Sequence, residues 1–161
     1  MARVELAAPE PLTFEHNLAG FSCGKPVLDD WLVKRALANH HSGASRTYVA
    51  VHKREVIGYY ALAAGSITVN EAPGRLRRNM PDPIPMAILG RLAVDTRYQG
   101  KGVGPFLLQD AMRRASDAAA ILGVRGVLVH ALDEEAKAFY LRYGFVVAPD
   151  RPLMLVMPLA T

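Results

Sequence analysis

The chain has 161 residues, about half of them hydrophobic and about a fifth charged, with a net charge of +4. That balance suits one compact domain over residues 1–161 with a sizeable core, and it excludes a largely disordered chain. The lone cysteine, Cys23, excludes an intrachain disulfide and a cysteine-based metal cluster, while the basic excess favours an anionic partner without requiring one.

The first residues, Met1-Ala2-Arg3-Val4-Glu5, put charge where a secretion signal needs an apolar core. The weakly polar run from Tyr59 to Val69 is too short to span a bilayer. Both observations predict a cytoplasmic protein. Leu12 to Asn17 reads as a short first strand. Gly24 to Asp30 then opens a helix, with Pro26 in the first turn and acids near the positive end of the dipole. Leu28, Trp31, Leu32 and Ala36 define its buried face, and Gly43 closes it. Arg46 to Val51 and Val56 to about Val69 form a hairpin across Lys53-Arg54-Glu55.

Residues 71–85 hold Pro73, Pro81, Pro83 and Pro85 and so form a connecting loop with at most one helical turn. Met86 to Val94 is a nearly unbroken apolar run, the pattern of a strand covered on both faces. Within it Arg91 needs a partner or a ligand, an internal salt bridge being the plain alternative. A long amphipathic helix follows Gly104, with Val103, Phe106, Leu107, Ala111, Ala115 and Ala118 on one side, and ends at Gly123. Val124 to Leu132 is a buried strand, Glu134 to Tyr143 a short helix, and the chain finishes in a hairpin around Pro149 to Pro152. The expected fold is α/β: a mixed sheet of six or seven strands with helices on both faces.

The segment from Ile88 to the helix after Gly104 carries the chemistry. Gly100, Gly102 and Gly104 let backbone N–H groups turn around an anion, the following helix offers unpaired N–H groups to the same point, and Lys101 adds charge at the rim. A phosphate-binding P-loop needs Lys-Ser or Lys-Thr after its last glycine, but Pro105-Phe106 stands there. A dinucleotide fingerprint needs glycine at 105 and a turn directly after the strand. Taken alone, the glycines also suit a turn that merely joins strand to helix.

Gln99-Gly100-Lys101-Gly102-Val103-Gly104 resembles the pyrophosphate loop of the GNAT N-acetyltransferases, and Ala138-Phe139-Tyr140-Leu141-Arg142-Tyr143-Gly144-Phe145 is similar to their Phe-Tyr-x-x-x-Gly-Phe element. The resemblance implies acetyl-CoA as cofactor, its pyrophosphate on residues 99–104 and its pantetheine arm along Leu92, Ala93 and Val94, where the middle strands splay. It also implies Tyr140 as general acid toward the CoA thiolate; a packed core tyrosine is the plain alternative. Phe139 and Tyr143 read as packing or cofactor-wall residues. Asp95, Asp133, Glu134 and Glu135 are candidate bases by type alone, and His40, His41, His52 and His130 have no metal-ligand spacing, so no metal is expected.

Cys23 to Leu32, Ala36 to Asn39, Ser42 to Tyr48, Leu89 to Asp95 and Ala131-Leu132-Asp133 further resemble the TacT-like toxin branch of that superfamily. This implies acetylation of the α-amine of aminoacyl-tRNA, a block of translation, a homodimer, and a ribbon-helix-helix antitoxin as the link to DNA. Lys34 and Arg35, Arg75 to Arg78 and Arg113-Arg114 are candidate tRNA contacts, with Lys34, Arg35, Arg77 and Arg78 foremost. The alternatives are a GNAT enzyme acting on a small amine, polyamine or protein N-terminus, and a CoA-binding regulator without catalysis.

Overall fold

The computed structural model describes residues 5–159; the start of the N-terminal stretch read for a signal, residues 1–4, lies outside them. Seven strands hydrogen-bond in the order β1-β2-β3-β4-β5-β7-β6: β1 (Glu10–Pro11), β2 (Arg46–His52), β3 (Glu55–Ile67), β4 (Ile84–Val94), β5 (Gly126–His130), β6 (Val146–Ala148) and β7 (Arg151–Pro158). The sheet is mixed, since β4 and β5 are parallel while β2–β3, β5–β7 and β6–β7 are antiparallel. The helices are α1 (Pro26–Lys34), α2 (Ala36–Ser42), α3 (Gly74–Arg77), α4 (Val103–Leu122) and α5 (Glu134–Arg142). Among the described residues no helix is long and apolar enough to cross a membrane.

Two compact units share the chain. One ends at Ala63 and resumes over Arg91–Ala111; the other comprises Ala64–Gly90 and continues from Met112. In the first, α1 and α2 cover the sheet face bearing Val49, Tyr59 and Ala93, with Leu32 and Ala36 both 0% exposed. Residues two apart on a strand share a face, so Gly58 looks the other way. A Cβ there would meet Leu107 Cδ1 at 2.9 Å, Ala93 O at 3.2 Å and Val103 Cγ1 at 3.2 Å. Glycine at 58 therefore lets the first turns of α4 lie directly on the strand, and helices cover both faces.

Several boundaries differ from the sequence reading; β4, for one, starts at Ile84, inside the loop read over 71–85. The first strand is not Leu12 to Asn17 but Glu10–Pro11: the Leu12 N–H still reaches Thr47 O (2.9 Å), but from Thr13 on the chain turns into local bonds. The Thr13 N–H donates to His16 Nδ1 (2.9 Å) and the Ala19 N–H to Asn17 Oδ1 (3.0 Å), turns that compete with a ladder. The first helix breaks at Arg35 (φ −125°), so that Ala36 and Leu37 turn toward the core already holding Leu32. Helix α4 begins at Val103 rather than after Gly104, which makes Pro105 its third residue, still within the turn whose N–H groups lack helical acceptors. Strand β5 is Gly126–His130, shorter than Val124 to Leu132, although the Arg125 N–H still reaches Pro85 O on β4 (2.9 Å) and the Ala131 N–H reaches Leu153 O on β7 (2.7 Å).

The β2–β3 hairpin turns on two charged residues. Lys53 (φ +50°) and Arg54 (φ +68°) are left-handed, as a two-residue turn between right-twisted strands requires. In the second unit the core gathers Ile67, Leu76, Ile84, Met86, Leu128, Met154 and Val156, and α3 is the single helical turn that the proline-rich loop allows.

Candidate active site

Strand β4 runs on past its pairs with β5, which span Ala87 to Leu89, and carries Leu92, Ala93 and Val94 to a tightly tied turn. Asp95 anchors that turn. Its N–H donates to Ile57 O (2.8 Å), and its carboxylate accepts from the N–H groups of Arg97 (2.9 Å) and Ser22 (3.2 Å) and from the Arg97 guanidinium (3.0 Å). Burial, to 1% exposure, opposes the charge, but these bonds and the adjacent guanidinium outweigh it and hold the carboxyl below its ordinary pKa. Arg97 also reaches Glu55 (3.0 Å).

Gln99 donates from Nε2 to Cys23 O and to Val94 O, both at 2.9 Å. Its amide thus ties the turn to the end of β4 and to the segment before α1, a role the motif alone does not reveal. Gly100 (φ +75°) and Gly102 (φ +87°) hold the left-handed conformation that side chains resist. The chain then enters α4 with Phe106 N–H on Gly102 O (3.2 Å), leaving Val103 and Gly104 as first-turn N–H donors ahead of a proline. Lys101 Nζ lies 5.5 Å from the Tyr98 ring centroid, a cation at the rim of the turn. This geometry suits a pyrophosphate: left-handed glycines remove side-chain obstruction, and the positive end of a long helix faces the bend.

Tyr140 belongs to the other unit. It lies on α5, capped by Asp133, whose side chain accepts from the Ala136 N–H at 2.9 Å. Its ring contacts Phe139 (5.2 Å) and Phe145 (5.3 Å), and the residue is 5% exposed. Its hydroxyl makes no hydrogen bond among the described residues, and burial raises its pKa above the ordinary value, so the proton stays in place. Phe139 packs at 5.1 Å against Tyr143, which is itself substantially exposed.

Two of the four base candidates are tied into the fold and a third faces solvent. Asp133 caps α5, Asp95 holds its turn, and Glu134 is exposed with Lys137 at 4.0 Å. His40 Nδ1 accepts the Thr47 N–H (3.0 Å), and burial, then the charge of Arg46, lowers its pKa. Among the described residues no three of His, Cys, Asp and Glu gather as a metal site requires.

The basic residues separate by use. Lys34 and Arg35 stand exposed at the end of α1. In the second unit Arg77 donates from Nε to Ala72 O (2.6 Å) and from Nη2 to Asn70 O (3.1 Å), stapling its own loop, whereas exposed Arg78 makes no ion pair among the described residues. The internal salt bridge considered for Arg91 is absent among the described residues: its guanidinium instead lies 4.3 Å over the Trp31 ring. Gly58 and Gln99 are the positioning residues whose reasons the sequence hid; a glycine inside a strand pattern was the available signal for the first.

Residues 43–147 match the acetyltransferase (GNAT) domain family. Over 151 residues the chain is 50% identical to the tRNA-acetylating toxin of Mycobacterium tuberculosis (strain ATCC 25618 / H37Rv), covering 94% of this chain and 91% of that protein. Among solved structures it is similar to AtaT complexed with acetyl-methionyl-tRNAfMet (TM-score 0.88, 30% identity, 96% of this chain and 95% of that one). It is similar also to a tyrosine-to-phenylalanine mutant of AtaT bound to acetyl-CoA and the C-terminus of the antitoxin AtaR (TM-score 0.81, 30% identity, 96% and 94%). A glycine turn before a long helix, on a mixed sheet of this order and with these relatives, has one family behind it: the chain belongs to the GNAT acetyltransferases, in their TacT-like toxin branch.

Proposed function

We propose that this chain acetylates the α-amine of an aminoacyl-tRNA and thereby stops translation. The observation that carries the substrate is the 50% identity, across nearly the whole chain, to a tRNA-acetylating toxin. Acetyl-CoA supplies the acyl group as a thioester. The N–H groups around Gly100 to Gly104 and the Lys101 ammonium hold the pyrophosphate charge, and the backbone of Leu92 to Val94 pairs with the pantetheine arm. The amine nitrogen forms its bond to the acyl carbon as the carbon–sulfur bond breaks, Tyr140 gives its hydroxyl proton to the departing sulfur, and the proton that the nitrogen then sheds restores the tyrosine through solvent. What supports Tyr140 as the acid is a hydroxyl with no hydrogen bond among the described residues, kept protonated because burial raises its pKa. An α-amine, with a pKa of about 8, is substantially neutral near pH 8 and needs no strong base, in keeping with Asp95 and Asp133 being tied into turn and cap.

By the same reading the enzyme works in the cytoplasm as a homodimer, restrained by a ribbon-helix-helix antitoxin; the AtaT complex with the C-terminus of AtaR supports the antitoxin. The test is transfer of radiolabelled acetyl from acetyl-CoA to bulk charged tRNA, with polyamines and peptides alongside. The expected result is label on the aminoacyl group, with the rate falling about 100-fold or more in Tyr140→Phe while acetyl-CoA affinity holds within about twofold. Label confined to polyamines or peptides overturns the tRNA reading, and no label on any acceptor leaves a CoA-binding regulator.

A further inference from the structure

Arg91 forms no ion pair among the described residues, and its guanidinium lies over a ring instead. Strand alternation puts it on the same face of β4 as Ala93, the face that α1 covers, and its Cζ lies 4.3 Å from the Trp31 ring centroid. The indole beneath it is fixed in turn. Trp31 stacks on Tyr59 (centroids 6.0 Å apart, planes at 11°), and the Tyr59 hydroxyl donates to Leu28 O (2.7 Å). Nearby carboxylates do not serve Arg91. Asp29 accepts the Cys23 N–H at 2.9 Å, Asp30 is exposed, and neither forms an ion pair with it. A half-buried guanidinium of this kind bears a desolvation cost with no charge partner among the described residues, and cation–π contact offsets only part of it. Its planar fork of donors, held over an aromatic ring, is suited to a bidentate anion such as a phosphate or carboxylate.

Its place along the strand selects among anions. With the pyrophosphate at residues 99–104 and the pantetheine arm beside Leu92 to Val94, the arm runs back along β4 and its reactive end arrives near Arg91, about 10 Å before Val94 at about 3.3 Å per residue. An anion held there belongs to the acceptor beside its amine, because the cofactor's own phosphates bind at the far end. In an aminoacylated 3′-terminal nucleotide that anion is the 5′-phosphodiester of the terminal nucleoside, one ribose and one ester away from the amine. Polyamines have no anion at all.

We propose that Arg91, stacked on Trp31, binds the phosphodiester of the 3′-terminal nucleotide and so sets the position of the acceptor amine. This rests on the aminoacyl-tRNA reading above. The test uses two amide-linked aminoacyl-adenosines, one with a free 5′-hydroxyl and one with a 5′-methyl phosphodiester, together with charged tRNA. The wild-type protein is expected to favour the phosphodiester acceptor by about tenfold or more in kcat/KM. Arg91→Gln should bring that ratio close to one, with acetyl-CoA affinity unchanged, and Arg91→Lys should retain part of it. A ratio that persists in Arg91→Gln overturns the proposal. So does an equal loss on both acceptors that leaves the ratio intact, the mark of a purely structural role. Should the wild-type protein acetylate charged tRNA yet show no preference between the two nucleosides, this inference alone falls; transfer to none of the three removes the tRNA reading and the inference with it.

Discussion

The two connections that flank β4 have similar compositions and opposite uses. Each is rich in glycine or proline and carries two or more cations within a few residues. In the incoming connection, between Ile67 and Ile84, the polar groups close on themselves. Arg77 staples two carbonyls, Glu71 accepts from the Thr68 hydroxyl (2.9 Å), and Arg151 pairs with Glu71 (3.2 Å). In the outgoing connection, between Val94 and Val103, side chains also satisfy one another, but they do so to hold a backbone bend open. Asp95, Arg97 and Gln99 consolidate the base of the turn, and beyond it Gly100 and Gly102 keep left-handed conformations that leave no side chain in the bend. Counting arginines and glycines does not separate the two; following each donor to its acceptor does.

The sharpest way to break this comparison is at the glycines. Gly102→Val puts a β-branched side chain at φ +87° and into the bend proposed for the pyrophosphate. The expected outcome is a weakening of acetyl-CoA binding by about 100-fold in a calorimetric titration, well beyond what a backbone strain of about 1–2 kcal/mol explains by itself. Gly74 in the incoming connection is the control. A Cβ there meets nothing within 4 Å, and Gly74→Ala should leave the titration unmoved. Equal losses in the two variants would show that both loops act only through stability.

The paired arginines sharpen the same contrast. Arg77→Ala removes two hydrogen bonds to loop carbonyls and should lower stability by about 1–2 kcal/mol in urea unfolding. Arg78→Ala should leave stability within about 0.5 kcal/mol and reduce the slope of log affinity for tRNA against log salt by about one. A reversal, with Arg77 moving the salt slope and Arg78 the stability, would mean that the exposed side chain is the structural one.

How much of this was legible beforehand follows from the range of each interaction. The apolar run of β4, the β-rich stretches of β2 and β3 and the helical period of α4 reflect burial that each residue undergoes wherever its element lands, so the elements and the mixed sheet were readable. So was the turn at Gly100 to Gly104, because a left-handed bend demands glycine locally. The roles of Gln99 and Gly58 were not, since they depend on Cys23 and Leu107, which lie 76 and 49 residues away in the numbering. The break at Arg35 was hidden too: no proline or glycine marks it, and tertiary packing of Ala36 and Leu37 decides it. Arg91 was legible as a problem, a charge in an apolar strand, though not in its solution over Trp31.

The smallest effect concerns the base of the outgoing turn. Asp95 is ionised at a pKa below its ordinary value, so the folded state binds this proton less readily than the unfolded chain does. Its contribution to stability is therefore complete above about pH 4 and disappears as the pH falls through the lower, folded value. Asp95→Asn should cost about 1 kcal/mol at pH 7, where the asparagine keeps the cap but not the charge-assisted bonds to Arg97. Urea unfolding of both proteins from pH 7 down to pH 3 should show the gap constant to about pH 4 and narrowing below it. A gap that widens in acid would reverse the sign of the linkage, and the network of Asp95, Arg97 and Glu55 would then owe its strength to packing of the arginine stem instead of to the charge. In that case the turn would hold its bend at low pH, and acetyl-CoA binding would survive acidification that the ionic network could not.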